Sequence, residues 1–328
     1  MSLRKIPILK SRKIKVGITI GDPSGIGPAI TLKALKKLGG LADFTVFGDS
    51  WVLSQPFGSK FPTRNAKIVD LKNIKRKDFT FGKVRAEYGK AAIEYLDEAL
   101  EMLKYGKIDC LVTCPVSKEA INLAGYKFSG HTEYLAKKTH SDETVMMLLN
   151  SSLRFSLITR HIPIKDVPLK LSEDIIYKNI KITVDALRSL FLIPFPRIVV
   201  CGLNPHASDN GLIGNEENKV IKPAIKKSIS KLKIRIEGPM SADSAIQKAA
   251  NGNYDAVVAI YHDQALVPLK LTGANSGVNL TLGLPFIRTS PLHGTAFDIA
   301  DRPSLIKADS LIVAAKLAIK CASNLKKS

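Results

Sequence analysis

The fold is decided by residues 255–299, DAVVAIYHDQALVPLKLTGANSGVNLTLGLPFIRTSPLHGTAFDIA. Residues 256–260 form a short, β-branched apolar run between polar neighbours, which is typical of a buried parallel strand. The run ends at Tyr261 and His262, and ligands collect at the carboxyl ends of strands in open α/β sheets. The rest of the stretch is rich in Gly, Pro, ionisable and amide side chains. We interpret it as a functional loop rather than a solvated linker.

Short apolar runs alternate with helical patterns on either side of this stretch. Strands are predicted at 15–20, 44–47, 67–69, 110–114, 145–149, 155–158 and 198–200. Apolar residues at helical spacing predict helices over 88–104 and 173–191, and Asp243 can cap a further helix. Alternating strands and helices predict an α/β fold with a mainly parallel sheet.

Composition narrows the class of protein. With 328 residues, 45% of them hydrophobic and 24% charged, the chain predicts a globular protein rather than a disordered one. Its net charge of +20 comes from scattered lysines with little aromatic interleaving, which favours anionic substrates over nucleic acid. The four cysteines form no C-x-x-C pair, and neither an export signal nor a membrane span is predicted. We therefore expect a cytoplasmic protein.

The segment GDPSGIGP at 21–28 follows the first predicted strand. Its glycines permit a close approach of the backbone, and the N-terminus of the following helix favours an anion. The segment is neither a G-x-G-x-x-G fingerprint nor a P-loop. A plain turn from strand to helix explains it equally well.

Three histidines occupy equivalent places in the predicted topology. His161, His206 and His262 each lie just beyond a predicted apolar strand. If those strands are parallel, their carboxyl ends share one edge of the sheet and the imidazoles can converge. Three protein nitrogens with an open position are typical of a catalytic divalent metal site. A structural role for each histidine is the alternative.

Six motifs occur in the order expected of one family: GDPSGIGP, VTCPVSKEAIN, SGHTEYLA, GLNPHASDNG, YHDQALVPLK and GVNLTLGLPFIRTSPLHGTA. With them the chain resembles the 4-hydroxythreonine-4-phosphate dehydrogenase family of pyridoxal phosphate biosynthesis over nearly its whole length. The resemblance implies an isocitrate/isopropylmalate dehydrogenase-like fold, with residues 1–328 forming two interleaved α/β lobes around a mainly parallel mixed sheet. It also implies a homodimer whose active-site clefts lie between the lobes at the subunit interface.

The resemblance assigns roles by position. It implies divalent metal ligands (zinc, or magnesium or cobalt) at His161, His206 and His262, the last from the partner subunit. Substrate contacts are implied at His131, Thr132, Lys270, Asn279 and Arg288, and catalytic roles at Asp243, near the metal, and Lys270. The loop containing Gly294, Thr295 and Asp298 is similar to a cofactor-adenosine loop, which implies NAD, with NADP as the alternative. The chain departs from the family pattern at Ala29, Arg160, Leu292 and Asp301.

The implied reaction is the oxidation of 4-phosphohydroxy-L-threonine, followed by decarboxylation to 3-amino-2-oxopropyl phosphate. A sister dehydrogenase acting on 4-phosphothreonate or 4-phosphoerythronate is the nearest alternative. A metal-dependent hydrolase or a phosphate-acyl transferase on a related fold is a further one. Neither of these needs a dinucleotide, so the HGTAFDI segment at 293–299 argues against both.

Overall fold

The computed structural model describes residues 12–58, 66–128, 130–273 and 276–327. The strands are β1 Lys15–Thr19, β2 Asp43–Gly48, β3 Ala66–Asp70, β4 Cys110–Thr113, β5 Val145–Leu149, β6 Arg154–Leu157, β7 Ile198–Cys201, β8 Ile236–Met240, β9 Ala256–Ala259, β10 Val278–Leu282 and β11 Ile287–Pro291. The helices are α1 Gly27–Leu38, α2 Ser50–Ser54, α3 Ala86–Lys104, α4 Lys118–Leu123, α5 His131–Lys138, α6 Glu173–Ser189, α7 Lys222–Leu232, α8 Ala242–Ala250, α9 His262–Gly273 and α10 Asp309–Leu325.

The strands in the described ranges form one eleven-stranded sheet in the order β3-β2-β1-β4-β11-β10-β5-β6-β9-β7-β8. The first five strands are mutually parallel, and so are the last four. The antiparallel pairs β11/β10, β10/β5 and β5/β6 join these two blocks. The prediction of an α/β fold with a mainly parallel mixed sheet is therefore confirmed.

The sheet is covered on either side of its centre by two separate apolar clusters. One packs the β1, β2, β4 and β11 region against α1, α3 and α10, with Tyr95 and Phe47 fully buried. The other packs β6, β7 and β9 against α6 and α7, around Phe155 and Ile180. The cysteines at 110, 114, 201 and 321 are buried within these clusters and unpaired. Among the helices described, none is long and apolar enough to cross a membrane.

Residues 262–299 are more ordered than the loop we predicted. Residues His262–Gly273 form α9, and Val278–Leu282 and Ile287–Pro291 form the antiparallel hairpin β10–β11 in the middle of the sheet. The loop interpretation was wrong because it gave weight to the polar Asn279 and Arg288 and to the neighbouring Gly and Pro, although residues 278–282 alternate apolar and polar side chains as a strand does. These polar side chains are tolerated there because they face a cleft.

A second correction concerns Asp243. Helix α8 begins at Ala242, and its N-cap is Ser241. Asp243 lies inside the first turn, where a carboxylate is favoured by the exposed N–H groups and by the helix dipole rather than by capping geometry.

Candidate active site

Among the lysines and arginines that the structure describes, Arg288 is the one whose side chain is buried. It lies on β11, fully buried, with its Nε and Nη2 donating to Thr113 Oγ1 at 3.1 and 2.7 Å and its Nη1 donating to Thr281 Oγ1 at 3.0 Å. Burial lowers its pKa to about 10, so it remains protonated at neutral pH. Within the described residues no carboxylate forms an ion pair with it. A buried cation without a carboxylate in direct contact is costly, which favours an anion arriving from outside.

A cleft of about 180 Å³ lies over this guanidinium, on one face of the central strands. Residues paired across a sheet point to the same face, so register and alternation bring Thr113, Asn279 and Ser290 to the Arg288 side. The start of α5 covers them. The cleft is lined by Thr113, Cys114, Pro115, Val116, Lys118, Gly130, His131, Thr132, Glu133, Met146, His161, Asn279, Arg288, Ser290, Pro291, His293 and Gly294.

Several polar atoms in this cleft are buried without a partner among the described residues. They are His131 Nε2, Asn279 Oδ1 and His293 Nε2. Burial, with a smaller contribution from Arg288, holds the pKa of His131 well below its ordinary value, and burial lowers that of His293. Both rings are therefore neutral at pH 7 and can donate or accept. Unsatisfied buried polar groups converging on one cavity are typical of a ligand site.

One carboxylate stands among these basic groups. Glu133 is the acidic side chain among the described residues that line the cleft. It interacts electrostatically with Arg288, Arg160 and His161, and no hydrogen bond or ion pair to another described side chain engages it. Arg160, a departure from the family pattern, donates through Nη2 to the Thr144 carbonyl at 3.0 Å. The cleft is therefore suited to a ligand with anionic groups and one cationic group.

Two of the three predicted metal ligands come together within one chain. The rings of His161 and His262 have centroids 5.5 Å apart, at the carboxyl ends of the adjacent parallel strands β6 and β9. Partial burial, and next the nearby Lys118, lowers the pKa of His161, so its ring is neutral. His262 Nδ1 bonds Asp263 Oδ1 at 2.6 Å, which leaves Nε2 free. The resemblance implied that a partner subunit supplies His262, yet this pair forms without one.

His206 is carried by a differently built loop after β7. Residues His206 to Asn210 have φ between 42° and 70°, a left-handed run within the turn Pro205–Gly211. The buried carboxylate of Glu217 accepts the N–H groups of Leu203 and Asn204, at 2.9 and 2.7 Å, and thereby fixes the start of the loop. Hydrogen bonds from Ser241 and Ser244 hold the pKa of Asp243 below its usual range, and His206 contributes to a smaller extent. Asp243 therefore lies close to His206.

These histidines have the chemistry of a divalent metal site, since neutral imidazoles suit zinc and similar ions and the carboxylate behind His262 would orient its ring. The set is incomplete in one chain, however. Across residues 12–58, 66–128, 130–273 and 276–327, no three His, Cys, Asp or Glu side chains are grouped to hold an ion. The strands that precede the three histidines are parallel neighbours, so their carboxyl ends share one edge of the sheet as predicted. Among the described residues of one chain, however, only the rings of His161 and His262 are in contact.

The GDPSGIGP segment is buried rather than open to a ligand. Gly25 N–H donates to the Asp22 carbonyl at 3.1 Å, and Ile26 N–H donates to the Thr295 carbonyl at 2.9 Å. Burial raises the pKa of Asp22 to about 7, and its Oδ1 accepts the Ser24 N–H at 2.9 Å. Because the N–H groups at 25 and 26 are engaged by the protein itself, the turn interpretation is favoured over the anion cradle.

The predicted cofactor residues lie on the loop that packs against this turn. Gly294 is exposed at the mouth of the cleft, with open space where a Cβ would stand, and Asp298 is exposed further along. Thr295 is tied to the turn through its carbonyl. Lys270, by contrast, is exposed on α9 and does not line the cleft of its own chain. The structure thus brings six predicted residues together in the cleft: His131, Thr132, His161, Asn279, Arg288 and Gly294.

Sequence reasoning missed Thr113, Thr281, Glu133 and Glu217. The two threonines sit in strands where hydroxyls are common, so only their contacts with Arg288 distinguish them. Glu133 follows His131 and Thr132 directly, and that adjacency was an available signal. Glu217 belongs to a charged helical start that looks solvated in sequence.

Comparison with known proteins identifies the family. Residues 40–318 match the model for pyridoxal phosphate biosynthetic protein PdxA. The chain belongs to the PdxA family. A 4-hydroxythreonine-4-phosphate dehydrogenase from Desulforapulum autotrophicum is 40% identical over 92% of this chain and 94% of its own. The D-threonate 4-phosphate dehydrogenase of Salmonella typhimurium is 38% identical over 94% and 98%.

Solved structures agree with that assignment. A 4-hydroxythreonine-4-phosphate dehydrogenase from Klebsiella pneumoniae matches with a TM-score of 0.83 and 35% identity, covering 95% of this chain and 98% of that one. The PdxA assignment makes the chain an oxidoreductase of the dehydrogenase class. Relatives with two substrate names match at nearly the same identity, so identity alone does not select between the substrates.

Proposed function

We propose that this PdxA family member oxidises 4-phosphohydroxy-L-threonine with NAD and decarboxylates the product to 3-amino-2-oxopropyl phosphate, in pyridoxine 5′-phosphate biosynthesis. The observation that carries the proposal is the buried guanidinium of Arg288, which faces the cleft and forms no ion pair with a carboxylate among the described residues. A phosphate or carboxylate oxygen supplies that charge, and arginine can hold it through two parallel N–H groups. Neutral His131 and Asn279 add uncharged polar contacts beside it.

The chemistry divides between the chain and the groups it would bind. A divalent ion at the histidines would polarise the substrate hydroxyl as a Lewis acid, and NAD would accept the hydride. The hydroxyl proton leaves to a base, and the resulting 3-oxo acid loses carbon dioxide, with the electrons of the broken C–C bond passing to the adjacent carbonyl. A proton then adds to the carbon that carried the carboxylate and gives the ketone product. Arg288 and the neutral imidazoles keep the substrate oriented through both steps. In this proposal Asp243 and Lys270, which lie outside their own chain's cleft, act across the interface of a homodimer.

Glu133 favours an amino-bearing substrate over the sister substrate. The ammonium group of the amino-bearing substrate can form a hydrogen bond with the carboxylate of Glu133 in which both partners are charged, whereas the hydroxyl of the sister substrate is neutral. We therefore expect kcat/KM for 4-phosphohydroxythreonine to exceed that for 4-phosphothreonate. In Glu133→Gln the ratio of these two kcat/KM values should be smaller than in the parent protein. NAD reduction measured with each substrate, with and without added divalent metal, checks this. A higher kcat/KM for 4-phosphothreonate in the parent protein would establish the alternative, a phosphorylated sugar-acid dehydrogenase.

The incomplete metal set predicts complementation between subunits. If a second chain supplies His206 to the His161–His262 pair, then inactive His161→Ala mixed with inactive His206→Ala should regain activity. For a symmetric dimer with free exchange, about a quarter of the parental rate is expected, since about half the dimers are mixed and one of their two sites is intact.

The mixture of His161→Ala with His262→Ala is the matched comparison. These two rings are adjacent in one chain, so we expect no recovery there. Recovery in this mixture would mean that His262 serves the neighbouring site, as the family resemblance implies. Absence of recovery in both mixtures, with subunit exchange demonstrated by mass spectrometry, would contradict a shared site.

A further inference from the structure

The hydroxyl of Thr113 has a forced orientation. Thr113 ends β4 at the base of the cleft and is fully buried. Its Oγ1 accepts from both Nε and Nη2 of Arg288, at 3.1 and 2.7 Å. A hydroxyl oxygen has two lone pairs, and both are occupied by the guanidinium. The hydroxyl hydrogen therefore points away from Arg288, because a guanidinium has no acceptor to offer.

Among the described residues, that hydrogen meets no acceptor. Throughout the described ranges, the contacts of the Thr113 hydroxyl are the two from Arg288. A buried donor without an acceptor is costly, and a donor that shares its oxygen with a cation is polarised toward stronger donation. Since Thr113 lines the cleft, the acceptor that satisfies this hydrogen is expected to be a ligand atom.

The guanidinium has donors left over for the same ligand. Of the five N–H groups of Arg288, those engaged are Nε–H, one on Nη1 and one on Nη2. One N–H remains on each Nη. Thr281, which lies opposite Arg288 on the neighbouring strand β10, accepts from Nη1 only and does not line the cleft. Both threonines therefore accept hydrogen bonds from Arg288, but of the two only Thr113 lines the cleft.

We infer that Thr113 is a substrate-binding residue, whose O–H and the two remaining N–H groups of Arg288 form a three-donor subsite for an oxyanion. The inference rests on the proposed function in that the oxyanion belongs to a phosphorylated substrate. A phosphate monoester and a carboxylate share the required chemistry, since each offers oxygens that only accept. Thr113 thus acts both on Arg288 and on the ligand itself.

Anion binding to the full chain, measured by calorimetry without NAD or turnover, tests the inference. The probes are inorganic phosphate and glycerate, which distinguish a phosphate subsite from a carboxylate subsite. Thr113→Val should weaken binding of one of them by about 30-fold, the effect of one hydrogen bond to a charged group. Thr113→Ser keeps the hydroxyl and should stay within about threefold. Thr281→Val loses a contact to Arg288 but no cleft donor, so it should weaken anion binding less than Thr113→Val does.

Steady-state kinetics give a second readout. Loss of a contact made equally in ground and transition states raises KM of the phosphorylated substrate in Thr113→Val more than it lowers kcat. Thr113→Ala replaces the valine variant if that one does not fold. Equal weakening in Thr113→Val and Thr281→Val, failure of serine to restore binding, or no binding of either anion by the parent protein would overturn the inference. A parent that binds the anion but does not reduce NAD would refute the proposed function and leave the subsite standing.

Discussion

His206→Ala is expected to lose the bound divalent ion and to lower kcat by at least ~10³-fold, since even residues behind metal ligands contribute 10- to 100-fold. The side chain of His206 is exposed, so its removal leaves no cavity in the core. The protein should therefore remain folded. Elemental analysis of purified protein and steady-state kinetics measure the two losses, and circular dichroism checks the fold.

The chain contains a matched control. His140 is also exposed and also has a positive φ of 51°, but it lies two residues beyond the end of α5 and does not line the cleft. His140→Ala reproduces the backbone effect of the substitution without touching the proposed site, and it should keep both metal and activity. Stoichiometric metal in the His206 variant would contradict its assignment as a ligand.

Unphosphorylated 4-hydroxythreonine is expected to be oxidised with kcat/KM lower by at least ~10³, or roughly 4 kcal/mol of transition-state binding. The reason is the buried charge of Arg288, which forms no direct ion pair among the described residues. A substrate without the phosphate leaves its remaining N–H groups unpaired, which costs more than the lost attraction alone. Kinetics with both compounds measure the difference. A ratio within tenfold would mean that Arg288 does not bind the phosphate.

Arg288→Lys tests the same contact from the protein side. An ammonium keeps the charge but cannot span the hydroxyls of Thr113 and Thr281 while presenting two parallel donors. The variant should therefore have a much lower kcat/KM with the phosphorylated substrate, while its kcat/KM with the unphosphorylated substrate should change little. Equal losses with both substrates would indicate a general distortion of the cleft.

The local pattern of apolar residues was sufficient to predict a strand or helix wherever the buried side chains of the segment are apolar. The apolar runs at 110–114 and 145–149 became β4 and β5, and the spacing over 173–191 became α6. Pattern failed where polar residues occupy buried strands. Arg288 and Asn279 look like loop residues by composition, yet the sheet accepts them because a cleft lies above them.

For the candidate site too, the sequence predicted some residues but not the contacts between them. The motifs identify His161, His262 and Arg288 by residue type and position, since each carries chemistry that a structural segment does not need. Sequence could not reveal that Thr113 and Thr281 hold the guanidinium, because these contacts join residues 175 and 7 positions apart through strand register. Nor could it separate His206 from the other two histidines.

The sequence by itself determined the α/β class, the family and six of the residues that line the cleft, because these depend on local periodicity and on motifs within single segments. Only the tertiary structure decided which of them meet. The antiparallel pairing of β10 with β11 and β5 sets the face on which Arg288 lies, and the parallel pairing of β6 with β9 sets the distance between His161 and His262. Pairing depends on contacts between distant strands, and a one-residue shift in register would turn every one of these side chains to the opposite face.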